Sequence, residues 1–117
     1  MYEDRIVLCV SNAYEKKFYL NEEFQDLPQM IKDEVKIMCV LFTEDVGGIL
    51  TLYYDDNGNL MMDVNADEGD LLFDDIGSGL LIKKIREEKR ELLESLEMYF
   101  KVFFLGEDAA DLLDKED

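Results

Sequence analysis

The sequence predicts an α+β fold of order ββαββα, with two antiparallel hairpins in one sheet and two long helices packed on it. Two segments, residues 6–20 and 49–64, each hold two short β-prone runs around a turn. Two longer segments, 27–46 and 80–105, place apolar residues at the three- and four-residue spacing of a helix face. A chain of 117 residues is the size of one domain and buries roughly two-thirds of its unfolded surface.

The first hairpin and the first helix follow from local composition. Ile6–Ser11 is rich in β-branched residues, and Lys17–Leu20 follows a polar turn, so the two runs are predicted to pair. Pro28 suits the first turn of a helix, which the glycines at 47–48 then end. Every position in Ile37–Phe42 is apolar, so we expect this half of the helix to be buried on all sides.

The second hairpin turns at residues 56–58, and its loop length decides which side chains share a face. Asn-Gly commonly forms a two-residue loop, but that loop would place Asp63 opposite Leu52. A three-residue loop, with Gly58 left-handed as a bulge, leaves one face wholly apolar. We therefore predict the three-residue loop, with the pairs Tyr54 and Leu60, Leu52 and Met62, and Leu50 and Val64.

The second long helix is predicted from about Leu80 to Leu105, after an interruption at residues 77–79. From Met98 onward only Lys101 is polar, so the domain or a partner should bury this end of the helix. We place a single α+β domain at residues 1–106. Residues 107–117 carry six acids and one lysine and are expected to form a frayed acidic tail.

Composition excludes several classes of function. The chain has 29 acidic and 12 basic residues and no histidine, for a net charge of −17. Without histidine neither a Ser-His-Asp nor a Cys-His nucleophile can be assembled, so we expect a protein that is not an enzyme and has no cofactor. The charge repels nucleic acid phosphates and anionic lipid headgroups, so no nucleic acid or membrane partner is expected.

Cys9 and Cys39 stand in apolar runs without a CxxC motif or a basic neighbour. This context predicts two buried thiols that act as small hydrophobic side chains in a reducing compartment. The acidic start of the chain is unlike a signal peptide, and no apolar stretch approaches the roughly 20 residues of a membrane span. We therefore expect a cytoplasmic protein.

An acidic segment after the second hairpin has some of the residues of a calcium-binding loop. Asp63, Asn65 and Asp67 match the first ligands of a calcium loop, and Asp74 falls at its twelfth position, but the glycine of the sharp turn comes one residue late. A strand that leads into a negatively charged helix N-terminus explains the same residues without metal. We expect no metal site and keep these four residues as the candidate ligands of an alternative, a calcium-binding module.

Three runs of the chain carry a resemblance. They are MCVLFTEDVGG at 38–48, DLLFDDIGS at 70–78 and EKRELLESLEMYF at 88–100. They resemble a family of small acidic bacterial proteins of unknown function from Gram-positive anaerobes, over nearly the whole chain. The resemblance implies a free-standing cytoplasmic domain and brings neither an activity nor site residues.

Two further functional hypotheses remain. The first is a non-enzymatic binding or regulatory module that presents its acidic surface to a basic protein partner. The alternative is a structural homodimer in which the apolar end of the last helix pairs across a two-fold axis. The candidate interface residues for the homodimer are Met98, Phe100, Val102 and Phe104.

Overall fold

The computed structural model describes residues 5–106, which form a four-stranded antiparallel sheet and three α-helices. The sheet order is β2-β1-β3-β4, so the two hairpins join through β1 and β3. The strands are β1 (Ile6–Asn12), β2 (Lys17–Leu20), β3 (Ile49–Tyr54) and β4 (Leu60–Asn65). The helices are α1 (Gln29–Val46), α2 (Asp75–Glu88) and α3 (Arg90–Phe103), and one 3₁₀ turn, Glu22–Phe24, precedes α1. The predicted α+β fold is confirmed.

The central strand pair, β1 with β3, runs from Ile6 opposite Tyr54 to Asn12 opposite Ile49. The register shifts between Val7 and Cys9, because one extra residue of β1 is accommodated there. Such a bulge bends the strand and increases its twist. The side chain of the extra residue, Leu8, is fully buried, and α1 packs on the same two strands.

The β3–β4 hairpin has the predicted three-residue loop, with Tyr54 opposite Leu60. Gly58 takes φ +84°, and its N–H donates to the Asp55 carbonyl at 3.0 Å. The Asp55 carboxylate accepts the backbone N–H groups of Asn57 and Asn59, both at 2.9 Å. The β3 side chains on the predicted apolar face, Leu50, Leu52 and Tyr54, are fully buried, and the register places them on the same side as Leu60, Met62 and Val64 of β4.

The predicted helix from Leu80 to Leu105 is in fact two helices. Lys89 (φ −109°, ψ +26°) separates α2 from α3 without a glycine or proline, so tertiary packing breaks the helix where local sequence does not. The predicted interruption at 77–79 instead lies inside α2. Asp74 caps this helix by accepting the Gly77 N–H at 2.8 Å, which lets the glycines stand in its first turns.

The expectation that α1 is buried on all sides near Ile37–Phe42 is wrong. Its inner side holds Met38, Cys39 and Phe42, but Ile37 and Leu41 on its outer side are more than half exposed. The sheet packs on one side of α1, and α2 packs on a second side. The remaining, outer side of α1 therefore faces solvent.

Four aromatic rings close the core between the 3₁₀ turn, β3 and α3. Phe100 stacks on Tyr54, with ring centroids 4.1 Å apart and planes 9° apart, and Phe104 follows at 5.0 Å. Phe24 stacks on Phe104 at 4.8 Å. The Tyr54 hydroxyl donates to the Leu96 carbonyl at 2.9 Å, and burial raises the pKa of this tyrosine far above its usual value. The domain itself therefore buries much of the apolar end of α3.

Cys9 and Cys39 are both free and fully buried, as predicted. Their sulfur atoms lie 3.9 Å apart, between β1 and α1. The contact with Cys39 and the burial both raise the pKa of the Cys9 thiol, which favours the inert, protonated form.

Candidate functional site

Four large aliphatic side chains lie in solvent within ten consecutive residues. Leu71 is 94% exposed, Leu72 93%, Ile76 79% and Leu80 66%. We call these four residues the apolar surface. Ile76 and Leu80 are one helical turn apart on α2, and the two leucines come just before its first turn. Concentrated exposed apolar surface of this kind is typical of a protein interaction site.

Leu71 and Leu72 are exposed because Phe73, the residue that follows them, packs inward and fixes the segment in place. Phe73 packs against the glycines that end α1, so closely that a Cβ on Gly48 would lie 2.9 Å from its ring. The N–H of Asp74 donates to the Val46 carbonyl at 3.1 Å. These contacts hold the segment against the end of α1 and leave Leu71 and Leu72 outside.

A tyrosine from the first hairpin holds the other end of the same segment. The Tyr14 hydroxyl donates to the Asp70 carboxylate and accepts the Asp67 N–H at 2.9 Å. Asp70 also accepts the Leu72 N–H at 3.0 Å. The Tyr14 hydrogen bond and then the Leu72 N–H lower the pKa of Asp70, while the same Asp70 contact raises the pKa of Tyr14. The leucines are thus presented on a turn that is tied down on both sides.

The charge around Leu71, Leu72 and Ile76 is negative in sequence, whereas Lys83 and Lys84 follow Leu80 within one turn of α2. Residues 37–82 contain ten acidic residues and no lysine or arginine. Two of the acids, Asp74 and Asp75, stand at the N-terminus of α2, where the helix dipole stabilises them. A partner that covers the leucines must therefore come close to several carboxylates, which favours a partner with positive charge.

The candidate calcium ligands do not form a cluster. Asp63 lies on β4 and accepts a hydrogen bond from the Asn65 side chain at 3.1 Å. Asp67 lies in the tied turn, and Asp74 uses one carboxylate oxygen to cap α2. Between residues 5 and 106, no three Cys, Asp or Glu side chains are grouped so that they could hold a metal ion.

The candidate dimer residues on α3 differ in exposure. Phe100 is buried in the aromatic stack, whereas Met98, Val102 and Phe104 are half-buried. The exposed ring on this helix is Phe103, which the sequence argument did not select. Dimerisation through α3 stays a prediction, but the Phe100 ring is not available to a partner.

Sequence reasoning also missed the apolar surface. From the sequence we predict an acidic segment with candidate calcium ligands in this region and assign no role to Leu71, Leu72 or Ile76. The sequence did hold a signal, because these aliphatic residues stand next to acidic residues and outside the periodic part of the predicted helix. No regular helix face is therefore expected to bury them.

Comparison with known proteins places the chain in a family. A model described as "Family of unknown function (DUF6145)" matches residues 5–108. The chain belongs to DUF6145. The DUF6145 match spans all the strands and helices described above, and it confirms the predicted resemblance to a family of unknown function. Bacterial source and cytoplasmic location stay predictions. No curated protein and no solved structure matches the chain.

Among the described residues, none of the helices combines the length and apolar character needed to cross a membrane.

Proposed function

We propose that this DUF6145 domain is a non-enzymatic binding module whose apolar surface takes a basic, amphipathic segment of a protein partner. One observation carries the proposal: Leu71 and Leu72 are almost fully exposed on a turn that Tyr14 and Phe73 hold in place. A segment held in this way has lost much of its conformational freedom before binding, which lowers the entropic cost of association.

The apolar surface is large enough to contribute measurably to binding. Covering one leucine or isoleucine side chain yields about 1.5–3 kcal/mol, so four yield about 6–12 kcal/mol before the costs of association are subtracted. Those costs are about 4–15 kcal/mol. Apolar contact alone therefore gives weak or moderate affinity, and attraction between the surrounding carboxylates and a basic partner raises both affinity and association rate.

Site-specific photo-crosslinking in the native host tests the proposal. A photo-reactive residue at Leu72 should crosslink to a segment of another protein that carries Lys or Arg and apolar residues at helical spacing. The same residue at Met30, an exposed apolar position at the start of α1, is the matched control and should not capture this segment.

The identified segment is then made as a peptide and its affinity is measured by calorimetry. The double variant Leu71→Asn/Leu72→Asn should bind about a hundredfold more weakly, because it removes about 3 kcal/mol of apolar contact. Met30→Gln should bind like the wild type. Crosslinks only to a second copy of this chain, only to acidic segments, or equally from both positions would each contradict the proposal.

A further inference from the structure

A second feature of the domain is a cavity of about 630 Å³ between the first hairpin and α1. It shares no residue with the apolar surface. Its α1 wall includes Lys36, Val40, Thr43 and Glu44, which lie along one side of the helix at spacings of one turn. The volume falls in the range of about 300–1,000 Å³ that is typical of small-molecule sites.

The charge lining this cavity is opposite to that of the chain. Lys16, Lys17 and Lys36 line it together with a single carboxylate, Glu44, so its formal charge is +2 in a chain of −17. Lys16, Lys17 and Lys36 are exposed, and three lysines beside one cavity make the local potential more positive. The charge of the lining therefore favours an anionic ligand.

Two buried hydroxyl groups also belong to the cavity lining. Ser11 on β1 is 2% exposed and Thr43 on α1 is 4% exposed, and their oxygen atoms lie 2.8 Å apart. Thr43 Oγ1 also lies 3.2 Å from the Val40 carbonyl and 3.3 Å from the Cys39 carbonyl, so its proton has three possible acceptors. When Thr43 donates to Ser11, the Ser11 proton is free to be donated to a ligand.

The backbone of the hairpin turn gives a further reason to assign a role to Lys16. Its φ of +55° is the only positive φ outside glycine in the described part of the chain. The Asn12 side chain stabilises this turn by accepting the N–H groups of Tyr14 and Glu15, at 2.9 and 3.2 Å. A lysine in this conformation costs about 1–2 kcal/mol, whereas asparagine or glycine fits more easily.

We propose that this cavity binds a small phosphate monoester with an apolar body. A phosphate monoester carries a charge of about −1.5 to −2 at neutral pH, which matches the charge of +2 on the lining. Lysine ammonium groups bind phosphate as point charges. Phe18 and Val40 supply apolar walls for the organic part of the ligand.

Nuclear magnetic resonance titration of the full chain with phenyl phosphate tests this assignment. Saturable amide shifts should appear at residues 11–18 and 36–44. Inorganic phosphate should bind at the same residues but more weakly, because it lacks the apolar body. Benzoate should also bind more weakly, because it carries only one charge, and neutral benzyl alcohol should cause no shifts there.

Two variants separate binding from folding. Lys16→Asn suits the left-handed turn and should keep or raise stability, while phenyl phosphate affinity falls about tenfold through loss of a charge-assisted contact. Lys36→Gln keeps a good helix former in α1 and should weaken binding by a similar factor. Lys83→Gln removes one exposed lysine from α2, outside the cavity, and is the matched control.

Three results would overturn the proposal. The first is the absence of saturable shifts around the cavity with phenyl phosphate. The second is benzoate binding as tightly as phenyl phosphate. The third is an equal loss of affinity in the Lys83→Gln control and the cavity variants, which would show that binding responds only to overall charge.

Discussion

Replacing Phe100 by alanine removes the ring that lies between Tyr54 and Phe104 in the aromatic stack. Large-to-small changes of a buried phenylalanine cost about 3–5 kcal/mol, and loss of stacked ring pairs contributes to this cost. We therefore expect the free energy of unfolding to fall by about 4 kcal/mol. With an unfolding entropy of about 2.1 cal/mol/K per residue, a chain of 117 residues should lose about 16 °C in Tm.

The matched control is Phe103→Ala on the same helix. Its ring is 69% exposed and pairs with Tyr99 at a centroid distance of 4.6 Å, so we expect the free energy of unfolding to fall by about 1 kcal/mol or less. Both are measured by urea unfolding followed by far-ultraviolet circular dichroism, because the chain has no tryptophan to report by fluorescence. If the alanine variant does not fold, Phe100→Leu provides the same test, with an expected loss of about 1–2 kcal/mol in the free energy of unfolding. Equal losses for Phe100→Ala and Phe103→Ala would refute the assignment of Phe100 to the core.

Two further predictions concern the turns. Gly58→Ala should lower the free energy of unfolding by about 1–2 kcal/mol, because φ is +84° at this position. Gly79→Ala, in open space within α2, should instead raise it by about 1 kcal/mol. If urea unfolding shows that both variants change the free energy of unfolding in the same direction, the loop assignment is wrong. Tyr14→Phe should raise the lowered pKa of Asp70, read from its carboxyl carbon resonance. Because a lowered carboxyl pKa stabilises the native state above the ordinary value of about 3.9, the stability difference between wild type and Tyr14→Phe should shrink as the pH falls through the native pKa of Asp70. If the pKa of Asp70 is the same in Tyr14→Phe as in the wild type, the hydrogen bond between Tyr14 and Asp70 is absent.

The strands and the β3–β4 register were predictable because they depend on a two-residue period. In the β3–β4 hairpin the three-residue loop puts Leu50, Leu52 and Tyr54 on the same face as Leu60, Met62 and Val64 of β4, and the structure has that loop. Burial of both cysteines followed in the same way from the apolar runs around them. The break at Lys89 was not predictable, because residues 87–91 are good helix formers and only packing of α2 on α1 and of α3 on β4 separates the two helices.

The candidate sites depended still more on tertiary structure. Leu71 and Leu72 are as apolar as core residues, and only the anchoring of Phe73 and Asp74 at the end of α1 leaves them outside. The cavity lysines come from a turn and a helix that are about 20 residues apart in sequence, so no local pattern brings Lys16 and Lys36 together.

The sequence by itself determined the α+β class, the hairpin register, the buried thiols and the exclusion of histidine chemistry, because periodicity and composition act locally or over the whole chain. Only the tertiary structure decided which apolar residues remain in solvent and which basic residues meet around one cavity. Both depend on how elements distant in sequence pack, and one anchor such as Phe73 decides whether its neighbours are core or surface.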